Sequence, residues 1–363
     1  MAVYKDKIKT KDGRQYYFSV IVNSTRYRSK RYLTLKEAKL EEAKFLLNQN
    51  KLPRKTFKVV AANFFEEIKK YRKLSTYQTY IDVYNKHISP YFDDKDINSI
   101  NIPFLKNFRE KALKTGYSTR YLNKVNNVLN LILDYANANY RVPNLNRVLG
   151  AYQEKKDKII KEKIRYMTYT DYQKFISVID DITYKTFFML LYLTGMRLGE
   201  VLALTFDDIK EDSIIVNKTL YPRIKGTICI TSTKNNINRV VKLDKTLTSQ
   251  LNLYINYMKS FTDFSSNWFL FGGVRYLAPT TINRKKHQYF ELSGVREITL
   301  HEFRHSHVSM LINEYLKSGN NDSGKFFLMM SQRLGHSIEV MQRTYMHLFP
   351  NTQDSIVDIL NNL

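Results

Sequence analysis

Three short stretches in the second half of the chain, and a tyrosine that follows them, have residue types and spacing suited to chemistry on a phosphate. The first is Thr194-Gly-Met-Arg-Leu-Gly-Glu200, in which a glycine breaks a buried helix and Arg197 opens the next. A guanidinium fork beside free helix N–H groups favours a bound phosphate; the alternative is that Arg197 pairs with Glu200 as a structural bridge. The second is His301-Glu-Phe-Arg304, whose outer residues stand three apart and so project from one helical face. The third, Leu334-Gly-His336, repeats the glycine-then-polar junction, and nine residues after His336 comes Tyr345 in Arg343-Thr-Tyr345-Met-His347. Two guanidiniums, two imidazoles and a phenol make a clamp, hydrogen-bonding or proton-accepting groups, and a nucleophile. His305, His307 and His347 have no required part in this scheme.

Other chemistries compete for the same residues. His301-Glu302-Phe303-Arg304-His305 matches H-E-x-x-H, the zinc-hydrolase helix, with Glu302 activating water. In that reading Arg304 puts a cation beside the metal, and zinc still needs a third ligand. A metal-dependent nuclease needs acids converging on paired cations, but the one dense acidic cluster, Asp207, Asp208, Glu211 and Asp212, reads as a solvated turn. The single cysteine, Cys229, supports neither a disulfide nor a cysteine-based zinc cluster. No metal or cofactor is therefore expected. A non-catalytic, architectural DNA-binding protein is the remaining alternative; it would keep the charge and have no need of Tyr345.

The elements that must position these groups read as a multidomain chain, mainly α with small β-sheets. Residues 1–50 form a sheet-plus-helix module with β-rich segments at 4–10, 15–23 and 27–33. Asp12-Gly13 supplies a turn, and Thr34-Leu-Lys-Glu37 caps a helix running to Leu47. Arg26, Arg28, Lys30 and Arg31 crowd onto its third strand, as DNA contacts or as charges guarding a sheet edge. Residues 56–150 form an all-helical domain with helices at 57–71, 76–88, 102–114 and 118–138. Its apolar stripes are Val59, Phe64, Ile68 and Leu122, Val125, Val128, Leu131, Leu133. Tyr77, Tyr80 and Tyr84 are assigned to packing rather than to base stacking. A charged connector at Glu154-Lys-Lys-Asp-Lys leads to a mixed α/β domain at 164–363, with Thr170-Asp-Tyr-Gln173 as a helix cap and strands at 214–216, 227–231 and 239–243. A short amphipathic helix after Pro350 ends the chain, docking on a neighbouring subunit or on its own core.

Composition supplies the partner. The 363 residues hold 58 Lys and Arg against 34 Asp and Glu, a formal charge of +24, which attracts a polyanion by releasing its counterions. The longest strongly apolar run, Phe187–Leu193, is too short to cross a bilayer. The start of the chain alternates charge where a signal peptide would be apolar. A cytoplasmic, DNA-associated protein that does not engage membranes is expected.

The ordered series of Arg197, His301-x-x-Arg304, Gly335-His336 and Tyr345 resembles the tyrosine recombinase family from Met167 to about His347, and the two preceding domains resemble the arm-site and core-site modules of that family's integrases. With 27 tyrosines in the chain, place in this order alone selects Tyr345; Tyr289 and Tyr315 lack the Gly-His spacing and are assigned to packing. The resemblance implies a site-specific recombinase acting through a 3′-phosphotyrosyl link and needing neither ATP nor metal. Arg197 and Arg304 would grip the non-bridging oxygens, with His301 as base or phosphate partner, His336 as a second hydrogen-bonding group and Glu200 orienting Arg197. The family's general acid is a lysine on a β-hairpin, which selects Lys234, in Thr231-Ser-Thr-Lys234-Asn-Asn-Ile-Asn-Arg239, over Lys225. It further implies double-stranded DNA sites and a homotetramer exchanging strands through a Holliday junction. Accessory bending or excision factors are compatible with it. The extra N-terminal module favours a mobile-element integrase.

Overall fold

A computed structural model describes residues 3–22, 25–49, 55–153, 165–221, 228–232, 238–349 and 361, with side chains omitted at 22, 25 and 46–49. The chain divides into two compact units, Met1–Ile159 and Ile160–Leu363. The charged run at 154–158, Lys225, Lys234 and nearly all of the C-terminal segment expected to be helical lie outside the described residues.

The first unit opens with an antiparallel sheet of β1 (Val3–Lys5), β2 (Tyr16–Val22) and β3 (Thr25–Arg28) in that order, covered on one face by α1 (Leu35–Gln49). Phe18, Tyr32 and Ala38 are buried between them. The β2–β3 register pairs Ser19 with Arg28, whereas Tyr16 pairs with Tyr32, so one extra residue is accommodated on the second side. Ser29 explains the break: its hydroxyl, not its carbonyl, accepts the Phe18 N–H at 2.9 Å. The third strand therefore stops at Arg28, and Lys30 and Arg31 lie beyond it, where a single basic strand was expected.

The rest of this unit is helical: α2 (Phe57–Lys69), α3 (Leu74–Val83), α4 (Ser89–Phe92), α5 (Ile102–Leu113) and α6 (Thr119–Tyr140). A π-turn at Tyr84–Ile88 carries α3 into α4, with the Tyr84 hydroxyl donating to Asp93 at 2.5 Å. The expected stripe on α2 needs correction. Val59 is 47% exposed, and the core face is Phe57, Val60, Ala61, Phe64, Phe65 and Ile68, because 57, 61, 64 and 68 share one side of the helix. The α6 stripe is buried at Leu122, Val125, Val128 and Leu133 and partly buried at Leu131. Tyr77 and Tyr80 pack on this core and Tyr84 is inside it.

In the second unit, α7 (Tyr169–Ser177) is capped by Thr168, whose hydroxyl accepts the Asp171 N–H, two residues before the expected cap. Helix α8 (Ile182–Thr194) is buried almost all round and forms the spine of the main core. After the short α9 (Leu198–Ala203) come two antiparallel pairs: β4 (Ser213–Val216) with β7 (Arg239–Lys242), and β5 (Lys218–Leu220) with β6 (Ile230–Ser232). Strand β5 had no counterpart among the expected strands. Helices α10 (Lys245–Lys259), α11 (Pro279–Ser293), α12 (Glu302–Lys317), α13 (Ser323–Leu334) and α14 (Ile338–Tyr345) complete the unit. A second cluster, from Val308 to Tyr345, packs α12, α13 and α14 together. Among the described residues no helix is long and apolar enough to cross a membrane.

Candidate active site

Two glycine corners meet at one arginine. Gly195 ends α8 at φ +64°, and a Cβ there would stand 2.6 Å from the His307 ring and 2.9 Å from Leu334. Gly335 ends α13 in the same left-handed conformation, at φ +63°. Arg304, in the first turn of α12, donates Nη1–H to the Gly195 carbonyl and Nη2–H to the Leu334 carbonyl, both at 2.8 Å. Corners that lie far apart in the sequence are thus fastened to a guanidinium only 2% exposed. Its Nε–H is buried with no protein partner. Burial, and then the charge of Arg197, pull Arg304 down to about 9, which leaves it a cation at neutral pH.

Arg197 stands at the N-cap of α9, too short a helix to supply much dipole, so the guanidinium itself must carry the positive charge. The Glu200 carboxylate accepts from the Arg197 backbone N–H at 3.0 Å and from its Nη1 at 2.7 Å, while Arg197 Nη2 donates to the Gly335 carbonyl at 3.3 Å. Arg239 on β7 grips the same carboxylate with both Nη atoms, at 3.1 and 2.6 Å, and its Nε donates to the Arg333 carbonyl at 2.9 Å. Burial alone would drive Glu200 toward neutrality; the Arg239 fork and the Arg197 contacts prevail and hold it down to about 2. Glu200 thus fixes Arg197 and fastens β7, the strand after the segment that holds Lys234.

His301 stands at the N-cap position of α12 without a side-chain capping bond, and its ring meets His305 edge-on with centroids 5.1 Å apart. His336 follows the Gly335 corner with Nδ1 buried and unpartnered in the protein, and burial with Arg304, Arg197 and His301 nearby lowers it to about 3. Tyr345 ends α14 at 3% exposure, with its phenol oxygen 2.6 Å from His305 Nδ1. Burial raises the phenol above its ordinary value of 10, and Arg304 pulls partly against it. Arg197, Glu200, His301, Arg304, His336 and Tyr345 therefore come together in one cluster.

Two residues joined to that cluster had no role in the recombinase reading of the sequence. Arg239 was quoted only as the end of the hairpin segment; its attachment to Glu200 joins residues with no local spacing. His305 had a readable signal, because it lies four residues after His301 and shares its helix face. His307 is structural: Arg333 Nε donates to its Nε2 at 3.2 Å and its Nδ1 meets the Tyr192 carbonyl at 2.8 Å. His347 is exposed.

Two acids of the 207–212 turn have separate partners, and Asp208 is buried where a solvated turn was expected. Asp208 caps Thr205 and pairs with Lys218 at 2.7 Å, while Asp212 pairs with Lys242. Among the described residues no three His, Cys, Asp or Glu side chains are grouped to hold a metal ion.

In the N-terminal module, Tyr4, Tyr17, Ser19, Ile21, Arg26 and Arg28 share the sheet face turned away from α1, by the register of the strands. Arg28 lies over the Tyr17 ring at 3.8 Å and pairs with Asp6, as Arg31 does. Arg26 donates to Ser19 at 3.3 Å, and Lys30 stands 5.8 Å from the centre of the Tyr32 ring.

Comparison with known proteins gives the family. Residues 165–351 match the phage integrase family, and residues 56–113 match its N-terminal SAM-like domain. The chain is 30% identical over 312 residues to the ICEBs1 integrase of Bacillus subtilis, covering 80% of this chain and 78% of that one. It is 24% identical over 285 residues to the tyrosine recombinase XerA of Pyrococcus horikoshii, covering 77% and 87%. Among solved structures, a Tn1549 transposon integrase in complex with transposon right end DNA superposes with a TM-score of 0.61 at 16% identity, over 85% of this chain and 99% of that one. A lambda integrase dimer bound to a core site gives 0.58 at 14% identity, over 94% and 93%. The chain belongs to the phage integrase family, that of the tyrosine recombinases.

Proposed function

We propose that the chain is the integrase of a mobile element, which cuts and rejoins DNA at specific sites through a covalent bond to Tyr345. The observation that carries the reading is the convergence of both glycine corners on Arg304, with the Tyr345 phenol in the same buried cluster. Family membership makes the chain a site-specific recombinase; the assignment of roles to residues is the proposal.

A scissile phosphate beside Arg197 and Arg304 would have its non-bridging oxygens met by guanidinium donors whose position is already fixed by carbonyls and by Glu200, so little reorganisation accompanies the reaction. The unpartnered Arg304 Nε–H and the buried His336 Nδ1 are polar atoms that an oxyanion nearby can satisfy. The phenol oxygen attacks phosphorus, the phosphotyrosyl bond conserves the energy of the phosphodiester, and the 5′-hydroxyl later reverses the step. Lys234, outside the described residues, is assigned the proton for the departing oxygen; its segment lies between β6 and β7 in the sequence.

The chain's +24 charge supports double-stranded DNA as partner, as does the binding of DNA by the Tn1549 and lambda integrases. We assign residues 1–50 to separate arm-type sites through Arg26, Arg28, Lys30 and Arg31, residues 56–150 to the core site and residues 164–363 to catalysis. Assembly as a homotetramer is proposed by analogy with a lambda integrase tetramer bound to a Holliday junction. A cytoplasmic location at the nucleoid, and accessory bending or excision factors, belong to the same reading. The test uses duplexes selected from a random pool for binding to the full chain, nicked so that the cut fragment escapes. Denaturing electrophoresis should show a protein–DNA adduct with the native chain and none with Tyr345→Phe; equal adduct in both would refute the assignment.

A further inference from the structure

The nucleophile of this site is buried and protonated at neutral pH, so attack requires somewhere for its proton to go. His301 is the imidazole that sequence order selects for that task, yet the phenol oxygen of Tyr345 faces Nδ1 of His305 at 2.6 Å, with the two rings 5.7 Å apart between centroids. His305 is one turn beyond His301 on the same face of α12, and the stretch from Arg304 to Tyr345 ties the phosphate clamp to this pair through α12 and α14.

Resting on the recombinase reading above, we propose that His305 is the proton acceptor for Tyr345, with His301 standing behind it. In the cleavage step the phenol oxygen bonds to phosphorus while the bond from phosphorus to the departing deoxyribose oxygen breaks. The phenol proton passes to His305 Nδ1, and the departing oxygen takes its proton from the lysine-type donor. In the reverse step the free 5′-hydroxyl gives its proton back to the lysine-type group and attacks the phosphotyrosine, the bond from phosphorus to the phenol oxygen breaks, and the His305 imidazolium returns its proton to the leaving phenolate. Nδ1 must be the unprotonated nitrogen of the resting ring, so Nε2 carries the hydrogen. The titratable and charged groups acting on His305 are His301, Glu302 and Arg304 of its own helix and Tyr345 of α14. Burial, followed by the charges of His301 and Arg304 with Glu302 opposing, lowers it to about 4, which keeps it neutral and able to accept. Negative charge developing on the phosphorane then favours the imidazolium.

The experiment measures single-turnover adduct formation on the selected, nicked duplexes with the native chain, His305→Ala and His305→Asn. Asparagine keeps a hydrogen-bonding atom near the Nδ1 position and removes the base. Both variants should bind DNA as the native chain does and cut about 10²-fold or more slowly at pH 7. Their deficit should shrink about tenfold per pH unit as hydroxide takes over, while the native rate stays flat from pH 6 to 8. A duplex with sulfur as the bridging leaving atom, which departs without a proton, should leave the variants' deficit intact. The role is overturned if His305→Asn cuts within threefold of the native chain, if the deficit is the same at every pH, or if the sulfur substrate abolishes it. Should the variants fail to fold, the native profile decides: a tenfold rise per pH unit from 6 to 8 would mean that the phenol has no internal base. A native chain that forms no adduct at all overturns the recombinase reading beneath the proposal; rapid cutting by the variants overturns the His305 role alone.

Discussion

Arg304 and Arg239, deep in the second unit, spend their donors on fixed oxygens of the backbone and of Glu200, whereas Arg26 and Arg28 lie on an open sheet face with Ser19, Tyr17 and Asp6 as their partners. The same side chain is used in two physical regimes. A buried guanidinium held on several sides is costly to desolvate but presents its charge in one place, which a transition state can exploit. An exposed one is screened and mobile, contributes little to the fold, and can follow a DNA backbone of any sequence. The contrast teaches that net charge alone reports the second regime, while the first is announced by the glycines and acids that immobilise the arginine.

The largest effect should come from removing the acid that neutralises the buried pair. Glu200→Ala leaves Arg197 and Arg239 facing each other without a counter-charge, and should cost about 3–5 kcal/mol of stability in a denaturant titration. A loss below about 1 kcal/mol would mean that the network is not structural. The same carboxylate sets a pH dependence. Its folded value is depressed to about 2 from an ordinary 4.5, so its contribution is fully present above that ordinary value and is lost as pH falls toward 2. Native chain and Glu200→Gln should therefore converge in stability as pH drops through that window, as followed by thermal melts.

Arg197→Ala should slow cleavage by about 10²–10³ while leaving much of the DNA affinity, because one transition-state donor is lost and the remaining contacts persist. A parallel loss of binding and cleavage would place Arg197 in the exposed regime instead. Gly195→Ala should destabilise by about 1–3 kcal/mol, since the left-handed backbone and the close His307 and Leu334 both oppose a Cβ. The smallest change is expected at the other end: Arg28→Ala should leave the melting temperature unmoved, weaken binding to all duplexes alike, and reduce the slope of affinity against salt by about one. A sequence-selective loss would show that the module reads bases.

The sequence made the chemistry legible wherever the signal was local. Gly195 is a helix break two residues before Arg197, Gly335 is one immediately before His336, and His301 with Arg304 is a one-turn pair, so types and spacing sufficed. The attachments between them were not legible, because Arg304 reaches the Gly195 carbonyl and Arg239 reaches Glu200 across long stretches of chain, and no local rule pairs a side chain with a distant backbone oxygen. His305 was passed over because the ordered signature needs only the first imidazole of its helix. In the fold, Val59 was misassigned because α2 buries a wide face, and three apolar residues do not fix its centre. The third strand was drawn too long because a serine hydroxyl standing in for a carbonyl ends a ladder without any turn residue.

The most direct test of the account is the identity of the residue that carries the DNA. After trapping on a nicked duplex and nuclease trimming, mass spectrometry of the trypsin-digested adduct should find nucleotide only on the peptide 344–363, fragmenting at Tyr345. Nucleotide on a peptide holding Tyr289 or Tyr315, or on no tyrosine, would contradict it.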